Sequence, residues 1–103
     1  MIRMRAICTV KYGQFREYFQ AMQELNAVCE ARGWATATLW GPVSGSNNEC
    51  VAEYEYPDLA AFQAEGDAAQ TDPEFMKIFR SIAELIYAQS ARTELVQSVT
   101  PIA

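Results

Sequence analysis

A chain of 103 residues with 50% hydrophobic and 20% charged side chains, five glycines and four prolines has the makings of one domain with a single two-layer core, and not of a disordered or repetitive polymer. The net charge of -5 and the absence of a long Lys/Arg cluster argue against nucleic acid, and no apolar run has the length of a membrane span or of a signal-peptide core. Three widely spaced cysteines without any histidine exclude a zinc site and a disulfide framework, so buried thiols and a cytoplasmic location are expected.

Residues 1–11 alternate: the even positions are apolar, and Arg3, Arg5, Thr9 and Lys11 take the odd face, the pattern of a half-buried strand. After Tyr12-Gly13, Phe15, Tyr18, Phe19, Met22, Leu25 and Cys29 recur as one helical stripe that should end near Arg32, with Gly33 as its stop. The run "WATATLWGPV" over residues 34–43 predicts a second strand with Trp34, Thr36, Thr38 and Trp40 on one face. A Gly/Ser/Asn-rich loop, "GPVSGSNN", leads into a third strand, "ECVAEYEY", which Pro57-Asp58 ends.

A helical stretch begins near Leu59 and is weakened at Gly66. A stronger helix follows "TDPE", started either by a Thr71/Glu74 capping box or by Asp72 with Pro73 in the first turn. Its stripe of Phe75, Ile78, Phe79, Ile82, Leu85 and Ile86 predicts a helix to about Ala88, and "ARTELVQSVTP" reads as a closing strand.

The order βαββαβ predicts an α+β, ferredoxin-like domain over residues 1–103: a four-stranded antiparallel sheet with the first strand between the third and fourth, and helices on one face only. The uncovered face then takes Arg3, Arg5, Ile7, Trp34, Trp40, Val51, Glu53, Glu55, Arg92, Glu94 and Val96. That mixture is too aromatic for a solvated sheet face and too charged for an ordinary core, so a partner should cover it. An RNA-binding role for the face is excluded by Glu49, Glu53 and Glu55, which would repel a phosphate backbone.

The element order, "KYGQFREYF" at the first helix, "YPDLAAFQA" after the third strand, the "DPEF" helix start and the closing "ARTELV" together resemble the dimeric α/β-barrel superfamily. Within it the chain is most similar to the NIPSNAP-like and antibiotic-biosynthesis-monooxygenase-like branches. The resemblance implies a homodimer joined through the uncovered sheet faces, with a small, apolar or acidic molecule held in a chamber between the two sheets. The haem-dependent branches rely on a histidine ligand, which this chain lacks, and no cofactor or metal is expected.

Three functions fit these residues. In a non-catalytic binding protein, Arg3, Arg5, Trp34, Trp40 and Arg92 would contact the ligand, the arginines clamping a carboxylate. In a cofactor-independent monooxygenase or isomerase acting on an aromatic or polyketide-like substrate, Glu53 or Tyr54 would handle protons while an arginine stabilises an enolate or phenolate. In the third, the charged interior of the dimer is purely structural.

Overall fold

The computed structural model describes residues 1–45 and 47–99. Its elements are β1 (Ile2–Thr9), α1 (Phe15–Ala31), β2 (Thr38–Trp40), β3 (Glu49–Tyr56), α2 (Leu59–Gln70), α3 (Pro73–Ala83), a single 3-10 turn (Ala88–Ser90) and β4 (Arg92–Gln97). Ser46 of the expected loop, and Thr100 and Pro101 of the expected closing strand, lie outside the described residues.

The strands form one antiparallel sheet in the order β2-β3-β1-β4, so β1 lies between β3 and β4 as its alternating pattern requires. All three helices lie on one side of that sheet. The core consists of Cys8, Cys50 and Ala52 from the sheet against Tyr18, Ala21, Met22 and Leu25 of α1 and Ile82 of α3. This is the ferredoxin-like α+β architecture, and the segment between β3 and β4 holds both helical stretches expected there, α2 and α3.

Local chemistry sets the helix boundaries. Asp58 caps α2 by accepting the Ala61 N–H at 2.8 Å, and Asp72 caps α3 by accepting the Phe75 N–H at 3.0 Å, with Pro73 in the first turn. Of the two starts open for α3, Asp72 is therefore the one used.

The C-terminus of α3 falls at Ala83 and not near Ala88. There Leu85 donates to Ile82, the Leu85 carbonyl accepts from Lys11, Ile86 bridges Val10, and Tyr87 donates to Thr9. The end of β1 thus takes the backbone groups that would have continued the helix, while Leu85 and Ile86 still pack against the core.

Cys8, Cys29 and Cys50 are all buried and free. Burial pushes each thiol up, Cys50 to about 11. At pH 8 the folded protein is therefore expected to leave all three thiols unmodified by an aromatic disulfide reagent over times in which the urea-unfolded chain reacts fully. A fast-reacting thiol in the folded protein would contradict this burial.

Candidate functional site

The two faces of the sheet have different chemistry. On the bare face, rows run across the strands: Val96, Arg3 and Glu55; then Glu94, Arg5, Glu53 and Thr38; then Arg92, Ile7, Val51 and Trp40. The arginines are held by carboxylates. Arg3 meets Glu55 at 2.6 Å and Glu53 at 3.9 Å, Arg5 meets Glu53 at 3.2 Å and Glu94 at 3.8 Å, and Arg92 meets Glu49 and Glu94 at 3.8 and 3.9 Å.

At this exposure each pair contributes about 0.2–1 kcal/mol, and the alternating signs leave no arginine without a counter-charge. Of the apolar members of the same face, Trp40 and Val96 stay open, at 54% and 49% exposure, whereas Ile7 at its centre is buried.

The covered face holds the room. A cavity of about 670 Å³ lies between the sheet and the three helices, floored by Met4, Ala6 and Thr93 and walled by aromatic rings. A second, of about 340 Å³, shares Ala6, Leu25, Tyr54, Phe79 and Thr93 with it. The space follows from side-chain size: the helix-facing row across the sheet is Thr93, Ala6, Ala52 and Leu39, and the short side chains of its first three members cannot fill the gap under helices held off by Phe75 and Phe79.

Two phenols face this space. Burial is the first cause that raises both, pushing Tyr56 up to about 12 and Tyr54 further, so each hydroxyl is a proton donor at neutral pH. Tyr56 and Phe62 meet edge to face at 5.3 Å between ring centroids, and Trp34 meets Phe75 likewise at 6.0 Å.

Trp34 was expected on the bare face, in a strand over 34–43. The structure instead shortens β2 to Thr38–Trp40 and puts Trp34 in the wall of the larger cavity. Gly33 takes a φ of 73° after α1 and donates to Glu30, while Trp34 donates back to Cys29, a Schellman motif that turns Trp34 onto the helix layer.

The next residues find their partners in side chains and not in a ladder. Ala35 donates to Glu65 at 2.6 Å, and Asn26 brackets Ala37 with bonds of 2.8 and 2.9 Å. At the rim, the Arg32 guanidinium sits 6.0 Å from the Trp34 ring centroid and pairs with both Asp72 and Glu74, tying the end of α1 to the start of α3.

The expected site residues thus divide. Arg3, Arg5, Trp40, Glu53 and Arg92 lie on the bare face, with Arg92 also at the edge of the smaller cavity, whereas Trp34 and Tyr54 belong to the covered face. Glu53 and Tyr54 project to opposite sides of β3, so they cannot serve one ligand on a single face. Glu65, Phe62 and Tyr56 were missed as lining residues. The signal for them was present in the short side chains of Ala6 and Ala52 opposite an aromatic-rich helix layer.

No family model and no curated protein matches the sequence. Solved structures do match it. An uncharacterized NIPSNAP domain protein from Burkholderia xenovorans superposes with a TM-score of 0.81 at 16% identity, over 97% of this chain and 96% of that one. A NIPSNAP family protein from Agrobacterium tumefaciens gives 0.77 at 15% identity, over 99% and 98% of the two chains. An antibiotic biosynthesis monooxygenase gives 0.72 at 18% identity, over 96% and 99%. At these identities the likeness is one of fold: the chain shares the ferredoxin-like architecture of both groups, as the resemblance implied. Among the described residues no helix is long and apolar enough to cross a membrane.

The Phe75 N–H and the Arg32 guanidinium both hold the Asp72 carboxyl below its ordinary range. A depressed folded-state pKa gives stability that is fully present above the unfolded value of about 3.9 and is lost as pH falls through the folded one. Asp72→Asn keeps an acceptor for Phe75 but loses the charge. Its urea midpoint should lie below that of the native chain by a constant amount from neutrality to about pH 4, and the gap should close below that.

Proposed function

We propose that the protein is a homodimeric small-molecule-binding protein, joined through its bare sheet faces, which holds one apolar ligand per chain between the sheet and the helices. The cavity of about 670 Å³ carries this reading: it falls within the size range of small-molecule sites and has apolar walls with a few polar groups, Tyr54, Tyr56, Glu65, Gln70 and Thr93. A chamber between two sheets draws less support, because Arg3 and Arg5, which would have clamped an acid there, are already engaged by Glu53, Glu55 and Glu94.

The bare face supports the dimer. Its exposed Trp40 and Val96 flank alternating Arg and Glu rows, and such a pattern can meet its own copy about a two-fold axis with opposite charges facing.

A second reading, a cofactor-independent monooxygenase or isomerase on an aromatic substrate, draws on the neutral Tyr54 and Tyr56 hydroxyls, which face the cavity and can donate to a developing oxyanion. Steady product formation that is lost in Tyr54→Phe would favour it, and saturable binding without turnover favours the binding protein.

Light scattering on the eluting protein should give twice the chain mass at micromolar concentration, and Trp40→Glu should give a folded monomer. A monomeric native chain overturns the dimer. The neutral probe N-phenyl-1-naphthylamine should bind saturably, one per chain, with enhanced emission. Ala6→Leu, which fills the cavity floor, should weaken that binding at least about tenfold while keeping the fold; unchanged binding in this variant places the ligand elsewhere.

A further inference from the structure

Among the residues lining the larger cavity, Glu65 is the one that carries a charge. It comes from α2, and the Ala35 N–H fixes its Oε1 at 2.6 Å. Its Oε2 makes no hydrogen bond with the described residues. The charge acts within the cavity: after burial, it is the next cause that pushes the Cys29 thiol up and the Tyr56 hydroxyl to about 12.

The rings of Trp34, Tyr56, Phe62 and Phe75 line the same cavity as this carboxylate. One of them already receives a cation, since the Arg32 guanidinium lies over Trp34 from the rim. That guanidinium is itself neutralised by Asp72 and Glu74, so the mouth carries more carboxylate than cationic charge. No Lys or Arg lines the larger cavity, and Arg3 and Arg5 project from the opposite face of the sheet.

A carboxylate that shares a cavity with several aromatic rings is the chemistry that recognises an organic cation. The rings attract it through their quadrupoles, and the carboxylate gives it a counter-charge in partly dry surroundings. An anion in the same place would meet Glu65 with nothing to compensate the repulsion.

From this geometry we infer that the cavity takes an organic monocation, an amine or quaternary ammonium on an apolar or aromatic body, with its charge against Glu65 and the surrounding rings. This inference rests on the reading of the cavity as the ligand site and names the class of ligand.

The test compares three probes of similar shape: benzyltrimethylammonium, its neutral isostere neopentylbenzene, and the anion 3-phenylpropanoate. Each is titrated against bound N-phenyl-1-naphthylamine, with quenching of Trp34 followed in a Trp40→Phe background that leaves it the sole tryptophan. The cation is expected to bind at least about tenfold tighter than the neutral isostere, and the anion weakest. Glu65→Gln, whose amide oxygen can still accept from Ala35, should bring cation and isostere to parity with an unchanged urea midpoint.

Equal or tighter binding of the neutral or anionic probe to the native cavity overturns the inference, as does a cation preference that survives Glu65→Gln. If none of the three displaces N-phenyl-1-naphthylamine while that probe still binds, the inference falls and the apolar ligand site stands. If N-phenyl-1-naphthylamine does not bind either, both fall.

Discussion

The rest of the structure depends on the register of β1. This strand is bonded on both sides, through eight residue pairs to β3 and six to β4, and its side chains alternate strictly between two environments. A slip of one residue would carry Arg3 and Arg5 under the helices and expel Met4, Ala6 and Cys8 to the bare face. Moving two guanidinium groups into an apolar layer without partners is prohibitive, so the arginines and the small apolar residues lock the pairing together. The same alternation gives the sheet its two faces, one of ion pairs with an exposed apolar fringe and one of short side chains beneath aromatic helices.

The covered face is where close packing stops short. Val10 and Cys50 are fully buried at one end of the sheet, yet toward β4 the floor falls away at Ala6 and Thr93 while Phe79 remains half exposed above it. A domain selected for stability alone would fill such a gap, because each absent methylene forgoes contact energy. The open gap, its two protonated phenols and its one fixed carboxylate are the features on which the proposed ligand site rests. The Arg32 bridge from α1 to α3, braced on Trp34, ties together two of the three helices that bound the cavity.

Much of this could be read in the residues. The period-2 runs at "IRMRAICT" and "ECVAEYEY" match β1 and β3, and the stripes from Phe15 and from Phe75 mark α1 and α3. Three features were not legible. The length of β2 escaped because "WATATLW" alternates as well as any strand, and nothing local says that Asn26 and Glu65 would capture the backbone of residues 35–37. The end of α3 escaped because Leu85 and Ile86 continue the helical stripe, while the strand end that competes for their backbone lies more than seventy residues away in the chain. The side taken by Trp34 escaped for the same reason as β2, although Gly33 followed by a large apolar residue is the local mark of a Schellman turn.

Alternation, helical stripes and caps are local, and so the sequence by itself determined the order of the elements, the α+β class and which residues of each strand share a face. Those features follow from the geometry of two or three neighbouring residues, which no distant contact needs to supply. What only the tertiary structure decided is where the space lies. A cavity is a shortfall between side-chain volumes contributed by β1, β3, β4 and three helices, and it exists only once their separations are set. Its single charged wall, Glu65, is brought there by a bond to Ala35 thirty residues away.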